Sequence, residues 1–456
     1  MGDLTAGESE MEIERLNWVG AVEMARLVRE GRVSAEQVVS ACLARVREVD
    51  AQVQAWAFLD EEHALARARA ADEYRLSGRP TGPLHGVPVG VKDIIDTADM
   101  PTENGSALHA GRTPSRDATV VARLRAAGAV VMGKTVTTEF ATRTPGKTRN
   151  PHNPDHTPGG SSSGSAAAVA AGMVPLALGS QTTGSTIRPA SYCGVYGFKP
   201  THGLISRHGM LALSRTLDHV GLFGRSIDDV ALLASVLAGH DEHDPDTRPR
   251  ARVPFVEIAA EEPPLPPMFA FVKTPYWEQT EPDTKAAFAE LVGLLGDRVE
   301  EFQLFPSMIE AWQWQEAVSG AEIAVSLDRE WRTGRAGLSP SLRARIERGR
   351  EVRAHDYVRA LVRRDAVHAA FVEIFEQRYD AILTPPATGT APKGLESTGD
   401  PAFCALWTYC GMPALSLPLL EGANGLPLGV QLVGPRDGDA RLLRTARWLV
   451  QRVAAG

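Results

Sequence analysis

Residues 83–92 are Pro83-Leu-His-Gly-Val-Pro-Val-Gly-Val-Lys92, and their valines at alternating positions predict a turn that leads into a buried strand. Farther along, Asp117 is expected to cap a helix that ends at Gly128, and residues 129–132 are expected to form the next strand. Strands and helices that alternate in this way form a sheet with helices packed against it. The pattern therefore predicts an α/β fold with helices on both faces of the sheet.

Other segments of the chain carry similar signals. Ser34-Ala-Glu-Gln37 has the pattern of a helix-capping box. Short strands are expected at residues 381–383, 414–417 and 428–433, and a final helix is expected from about Asp439. The sequence contains no internal repeat.

The composition is that of an ordinary globular protein, with 456 residues of which 43% are hydrophobic and 23% are charged. The net charge of −8 argues against a general binder of nucleic acids or acidic membranes. Four cysteines without metal-ligand spacing fit a reduced compartment. Residues 1–14 lack the basic-then-apolar order of a signal peptide, and no segment is apolar enough to span a membrane. We therefore expect a soluble, cytoplasmic protein.

Two short motifs match known functional patterns in an unsuitable context. Residues 128–135 match the phosphate-loop pattern GxxxxGK[ST], but their inner residues form the predicted strand itself. Residues 160–164 match the GxSxG pattern of a nucleophile at Ser162, but a turn precedes them where an apolar strand is required. A nucleotide-binding protein and a Ser–His–Asp esterase remain as alternatives on these motifs.

Two loops rich in glycine, serine and threonine form the main functional signal. Residues 159–165 lead directly into a strong helix former at residues 166–171, which predicts a preorganised hydrogen-bond donor site and not a flexible linker. Residues 179–189 follow a predicted strand at residues 174–178, and their small side chains let backbone amides turn inward together. Such a cluster of amides suits a phosphate or a developing oxyanion.

Both loops resemble the signature of the amidase signature family. The resemblance rests on Pro158-Gly-Gly-Ser-Ser-Ser-Gly-Ser-Ala-Ala-Ala-Val-Ala-Ala-Gly172 and on Gly179-Ser-Gln-Thr-Thr-Gly-Ser-Thr-Ile-Arg-Pro-Ala190. It extends to residues 83–97, 193–201, 411–418 and 426–434. It implies a hydrolase of C–N bonds on an α/β/α domain with a mixed central β-sheet.

We expect this domain to be single and to span residues 1–456. Its parts would be a signature core at 15–240, a connection rich in proline and acidic residues at 241–267, a variable helical region at 268–380, and C-terminal strands and a helix that complete the core at 381–456. The variable region resembles the family only loosely.

The resemblance also implies a set of site residues. By position, Lys92 would be the base, Ser161 the bridging serine, held in the family by a cis peptide bond, and Ser185 the nucleophile. The oxyanion hole would consist of consecutive backbone amides, those of Thr182, Thr183, Gly184 and Ser185. Substrate contacts would come from residues near the loops, namely Phe140, Ala141, Thr142 and Gln181. Neither a metal nor an organic cofactor is implied.

The chemistry of this triad depends on the protonation state of the lysine. Lys92 can act as a base only when neutral, and burial would lower its pKa. The alternative is a buried lysine that pairs with Asp93 or Asp96. The loop also departs from the common family pattern, since Gln181 replaces Asp and Thr183 replaces Gly. A β-branched residue takes a positive φ only at a cost, so Thr183 implies a conventional backbone or strain.

We expect a stand-alone hydrolase that acts on a small-molecule amide or carbamate through an acyl-enzyme, as a monomer or homodimer. Trp312, Trp314, Trp407 and Tyr409 either line a pocket for apolar or aromatic substrates or belong to the core. A rival from the same family is the amidotransferase subunit that releases ammonia for tRNA-bound glutamate. The Gln in place of Asp in the nucleophile loop argues against that rival.

Overall fold

A computed structural model describes residues 15–455 of the chain, so the prediction for residues 1–14 lies outside the described residues. The strands are β1 (Trp56–Leu59), β2 (Pro88–Lys92), β3 (Val130–Thr135), β4 (Leu176–Gln181), β5 (Tyr196–Lys199), β6 (His219–Gly224), β7 (Phe269–Val272), β8 (Val299–Phe302), β9 (Ala381–Thr384), β10 (Ala414–Glu421) and β11 (Pro427–Val433). Within the described residues they form one sheet of eleven strands, in the order β1-β3-β2-β4-β6-β5-β10-β11-β9-β7-β8.

The α-helices lie between and after these strands. They are α1 (Ala21–Arg29), α2 (Ala35–Val53), α3 (Glu61–Leu76), α4 (Thr119–Ala126), α5 (Ser163–Ala170), α6 (Ile187–Cys193), α7 (Ile227–Leu237), α8 (Phe255–Ala260), α9 (Pro282–Leu295), α10 (Pro306–Ile309), α11 (Ala311–Ser326), α12 (Asp328–Gly334), α13 (Pro340–Arg350), α14 (Ala354–Gln377), α15 (Ala402–Tyr409) and α16 (Asp439–Ala454).

The sheet is mixed, as the family resemblance implies. β2 pairs in parallel with β3 and β4, whereas β6 pairs antiparallel with both β4 and β5. Every residue of β2, β3, β4 and β6 is buried. Strands that are buried on both faces require cover on both faces, and helices provide it. The predicted α/β fold with helices on both sides of a central sheet is confirmed.

The local predictions have mixed outcomes. Ser34 and Gln37 form the predicted capping box, and the final helix begins at Asp439. The capping role of Asp117 is wrong, because α4 begins after Ala118. The Asp117 carboxylate instead accepts a hydrogen bond from the Ala98 amide at 2.8 Å and forms an ion pair with an arginine at 3.0 Å.

The region at 268–380 is not purely helical, because it contributes β7 and β8 to one edge of the sheet. Both strands have four residues, and a segment this short shows too little periodicity to distinguish a strand from a helix. The connection at 241–267 also contains α8, whose Phe255 and Ala259 are buried in the core.

Residues 128–135, which match the phosphate-loop pattern, do not form a loop that could bind a phosphate. Gly128 ends the turn after α4, and β3 includes Lys134, which is fully buried. The Lys134 ammonium donates to the backbone oxygen of Ile95 at 2.6 Å and to Thr102 Oγ1 at 2.5 Å. Lys134 therefore connects β3 to the segment that contains Ile95 and Thr102.

The parallel pairing of β2 with β4 places Lys92 and the second glycine- and serine-rich loop at the same edge of the sheet. Parallel neighbours end at the same edge of a sheet, and ligands of open α/β sheets bind outside such ends. β2 ends at Lys92 and β4 ends at Gln181. The segment that precedes α5 lies against this edge, because the Ser162 amide donates to the backbone oxygen of Ser185 at 3.3 Å.

Candidate active site

Lys92 lies at the carboxyl end of β2 with no exposed surface. Its Nζ donates to Ser161 Oγ at 2.7 Å, to Ser162 Oγ at 3.1 Å and to Ser180 Oγ at 2.8 Å. Burial lowers the pKa of Lys92 well below its usual 10.5, and the charge of Asp218 opposes this shift only in part. The lysine is thus surrounded by hydroxyl groups and held in conditions that favour its neutral form.

Neither of the two neighbouring aspartates pairs with Lys92. Asp93 Oδ1 lies 4.0 Å from Lys134 Nζ, and both Asp96 oxygens accept from Arg112, at 2.8 and 2.9 Å. The alternative interpretation of Lys92 as a salt-bridged structural lysine is therefore wrong.

The first serine loop presents two serines to this lysine. The Gly160–Ser161 peptide bond is cis, and Ser161 is almost fully buried. Ser162 Oγ accepts from the Ser180 amide at 3.1 Å and donates to the Ser180 backbone oxygen at 3.1 Å. Gly179 permits this approach, since a Cβ there would lie 2.6 Å from Ser162 Oγ.

Ser162 is a structural residue and not a nucleophile of the Ser–His–Asp type. It has no exposed surface, and among the described residues no histidine forms a hydrogen bond with it. The hydroxyl is committed to Lys92 and to the backbone of Ser180. The esterase alternative therefore has neither its base nor access for a substrate.

The second loop follows β4 and is shaped by Gln181. Gln181 Oε1 accepts from the amides of Thr186 at 2.8 Å and Ile187 at 3.0 Å, and Nε2 donates to Thr408 Oγ1 at 2.9 Å. Four consecutive backbone amides lie just before Thr186, those of Thr182, Thr183, Gly184 and Ser185. Within the described residues, none of them donates a hydrogen bond to the protein. The loop thus offers a run of unpaired N–H donors.

Two threonines anchor this loop to the rest of the protein. The backbone φ of Thr183 is not positive, so the expectation of a conventional backbone there is confirmed. Thr182 Oγ1 donates to Asp218 Oδ1 at 2.6 Å, and Thr183 Oγ1 accepts from Gln315 Nε2 at 3.0 Å. Burial raises the pKa of Asp218 to about 6, and the hydrogen bond from Thr182 opposes that shift.

A cavity of about 860 Å³ opens in front of the second loop, and Ser185 lines it. Of the residues predicted to contact substrate, Ala141 and Thr142 line this cavity as well. Phe140 and Gln181 do not. Phe140 is fully buried and packs edge-on against a histidine ring at 5.0 Å, and the Gln181 amide is occupied by the loop it braces.

The four aromatic residues named from the sequence divide between cavity and core. Trp312 lines the cavity, with its ring centroid 5.7 Å from that of Tyr276. Trp407 and Tyr409 have no exposed surface, and Trp314 packs against the same hydrophobic cluster. The sequence does not identify Tyr276 as a cavity residue, because no motif or spacing pattern distinguishes it from other tyrosines.

Arg188 lies behind the nucleophile loop and joins it to the first serine loop. Its Nε donates to the backbone oxygen of Thr398 at 2.7 Å, and one terminal nitrogen donates to that of Gly160 at 2.6 Å. Both contacts fix the backbone around the candidate site.

Some features are absent from the part of the chain that the structure describes. Within residues 15–455, no group of three or more His, Cys, Asp or Glu side chains is arranged to hold a metal ion. The four cysteines, all in that range, are free and buried. No helix of the same range is long and apolar enough to cross a membrane.

The fold and the two loops together define the architecture of the amidase signature enzymes, and comparison with known proteins agrees. The peptide amidase from Stenotrophomonas maltophilia has a solved structure that superposes with a TM-score of 0.82, at 28% identity over 96% of this chain and 97% of that one. The amidase family model matches residues 37–443. The chain belongs to the amidase family and is a C–N hydrolase of that family.

Relatives with different names are about equally similar to this chain. A glutamyl-tRNA(Gln) amidotransferase subunit of Lachnospira eligens is 36% identical over 93% of this chain and 96% of that protein. A Mycobacterium bovis protein assigned as an amidase, AmiD, is 37% identical over 94% of this chain and 93% of its own length. Overall similarity therefore does not choose between the two activities.

Proposed function

We propose that the protein is a stand-alone hydrolase of linear amides and carbamates that acts through an acyl-enzyme on Ser185. Lys92 is the base and Ser161 the proton relay. The observation that carries the proposal is the 2.7 Å contact from Lys92 Nζ to Ser161 Oγ, directly beside the loop whose Ser185 lines the cavity. A serine hydroxyl needs such a base to become an effective nucleophile.

The reaction follows from this arrangement. Neutral Lys92 takes the proton of Ser161 as Ser161 takes that of Ser185, and Ser185 Oγ attacks the substrate carbonyl carbon. The resulting oxyanion accepts hydrogen bonds from the unpaired amides of the loop, and each such donor is worth about 3 kcal/mol in other acyl-transfer enzymes. The relay returns the proton to the departing nitrogen, and water then releases the acyl group from Ser185 by the same steps.

The shape of the cavity supports a substrate with an apolar or aromatic group. Its volume of about 860 Å³ suits a small molecule and not a folded protein. Trp312 and Tyr276 form an aromatic wall beside Ala405 and Ala402. We expect the part of the substrate that does not react to pack against this wall.

The amidotransferase subunit is the second candidate, favoured by the 36% identity to the Lachnospira eligens protein of that name. Gln181 argues against it on the family pattern. An enzyme of this kind should co-purify with partner subunits from its own cells and show low activity alone. A hydrolase that is fully active as purified without partners would exclude it.

A panel of amides, carbamates and esters that share one chromogenic leaving group tests the proposal. We expect turnover of the amides or carbamates by the isolated protein, with the rate set by the acyl part once the leaving group is constant. Esters hydrolysed without any amide or carbamate turnover would contradict it.

A further inference from the structure

Two guanidinium groups line the Ser185 cavity without an ionic partner. Arg345 lies on α13, and Arg143 lies in the loop after Thr142. Within residues 15–455, Arg345 makes one side-chain hydrogen bond, from a terminal nitrogen to Ser319 Oγ at 3.2 Å, and its buried Nε has no partner. In the same range Arg143 has no hydrogen bond or ion pair through its side chain. Arg143 is exposed to solvent, whereas an unpaired buried nitrogen such as Arg345 Nε is costly unless an acceptor completes its hydrogen bond.

The position of Arg345 is fixed by the close contact of two helices. A Cβ at Gly349 on α13 would lie 2.0 Å from the backbone oxygen of Gly320 on α11, so the helices touch through their backbones here. Arg345 lies one helical turn before Gly349, and Ser319, its hydrogen-bond partner, directly precedes Gly320. The guanidinium is therefore held over α11 and has little freedom to reach another partner.

α11 also sets the distance between this arginine and the reaction. Gln315 on α11 contacts Thr183 of the nucleophile loop at 3.0 Å, and Ser319 lies one turn farther along. The rise of about 1.5 Å per residue separates the two positions by about 6 Å. An acceptor group for Arg345 therefore lies a short chain of carbon atoms away from the scissile carbonyl.

Three carboxylates also line the cavity, and they belong to Glu316, Glu396 and Asp400. Asp400 accepts from the Ala402 amide at 2.8 Å, and Glu396 accepts from the Leu395 amide at 3.0 Å. Glu316 is the carboxylate whose charge acts most on Arg345, yet no ion pair joins the two within the described residues. Within the described residues, none of the three carboxylates is thus paired with Arg345 or Arg143, so both guanidinium groups can bind a carboxylate of the substrate.

Arg188, another guanidinium that lines the cavity, has a different role. Two of its nitrogens already donate to backbone oxygens, those of Gly160 and Thr398. Arg345 and Arg143 lack such contacts. We propose that Arg345 and Arg143 form a subsite for a carboxylate that the substrate carries at a distance from the scissile bond. This rests on the proposed function, since the subsite belongs to the cavity of Ser185.

The proposal defines a substrate class, namely amides or carbamates with a terminal carboxylate. Arginine binds a carboxylate through two parallel N–H···O bonds, which are about twice as strong as neutral ones. We expect a carboxylated substrate to exceed its neutral isostere in kcat/KM by about 10- to 100-fold, most of it in KM.

The test uses 4-nitroanilides of glutaric acid, of its uncharged primary amide and of 5-aminopentanoic acid, together with pentanoyl anilides that carry or lack a 4-carboxylate on the ring. Arg345→Met and Arg143→Met should each remove most of the preference for a carboxylate, and Arg345→Lys should retain part of it. Arg348→Met is the matched control, because Arg348 lies on the same helix, is exposed and does not line this cavity. It should leave the preference unchanged.

Calorimetry on the Ser185→Ala protein separates this proposal from the proposed function. The glutaric anilide should bind at least tenfold more tightly than its primary amide even without turnover, and Arg345→Met or Arg143→Met should abolish the difference. Equal or tighter binding of the neutral or cationic compounds on both series would overturn the subsite while leaving Ser185 hydrolysis intact. A carboxylate preference that survives in both arginine variants would also overturn it. Tighter carboxylate binding in a protein that hydrolyses none of the panel would instead refute the proposed function alone.

Discussion

Lys92 and Arg345 are both basic side chains withdrawn from solvent, yet their surroundings differ. Lys92 has three serine hydroxyls within hydrogen-bond distance, and every residue of its strand is buried. Arg345 has one hydroxyl contact, and its Nε has none within the described residues. Lys92 is satisfied by its serine contacts without a substrate. On the proposal above, the side of the cavity that α11 and α13 form, called the helical wall below, is completed by a carboxylate of the substrate. If both proposals hold, the strand ends carry out the chemistry, and α11 and α13 select the substrate.

Removal of the Ser185 hydroxyl should have the largest effect. Ser185→Ala should lower kcat/KM by at least about a thousandfold with an unchanged melting temperature, because it removes the nucleophile and little volume. Steady-state kinetics on a chromogenic amide measures this. Ser341→Ala removes a hydroxyl from the helical wall of the same cavity and should cost little. Equal losses of kcat/KM in Ser185→Ala and Ser341→Ala would contradict the proposed difference between the nucleophile loop and the helical wall.

Lys92→Arg should lower the rate by at least about a hundredfold, since a guanidinium cannot accept the relayed proton. Because burial lowers the pKa of Lys92, the wild-type rate should rise with pH through that lowered pKa, as the lysine becomes neutral. This acid limb should disappear in the variant. An active Lys92→Arg enzyme with the wild-type pH profile would return Lys92 to a purely structural role.

Gln181→Met should lower kcat by about 10- to 100-fold with a smaller effect on KM. The variant keeps the side-chain volume but loses the acceptor of the Thr186 and Ile187 amides, so the unpaired amides of the loop lose their alignment. Kinetics together with a melting curve distinguishes misalignment from unfolding. A folded variant with wild-type kcat would show that Gln181 does not position the loop.

The contact between Thr183 and Gln315 joins the two regions, and its loss should have the smallest effect. Thr183→Val should change kcat/KM by about two- to tenfold, the worth of one neutral hydrogen bond. A double-mutant cycle with Gln315→Leu should show that the two effects are not additive. Additive effects would mean that the helical wall does not communicate with the nucleophile loop through this contact.

The sequence predicts the sheet edge far better than the helical wall, for a physical reason. Lys92 and the loop at 179–189 each lie at the end of a strand that the residues indicate, so their meeting point follows from parallel pairing. The loop at 159–165 follows a turn, and only the family resemblance assigns it to the same site. The pairing of Arg345 with Ser319 depends on how α13 crosses α11 at Gly349, and no local pattern encodes that crossing.

Individual errors have the same origin. Asp117 has the residue type of a helix cap, but a distant amide and an arginine compete for its carboxylate. Gln181 lies in the predicted loop, but its amide faces Thr408 and the start of α6 and not the cavity. In both cases the position along the chain is informative, but the direction of the side chain is decided by tertiary contacts that the local sequence pattern does not show.

The assignment of Ser185 is tested most directly by the site of covalent labelling. A fluorophosphonate should add one phosphonyl group to the protein, and peptide fragmentation should place it on Ser185, with no adduct in Ser185→Ala and slow labelling in Lys92→Ala. An adduct on Ser161 or Ser162, or labelling that persists in the Ser185→Ala protein at the wild-type rate, would contradict the account.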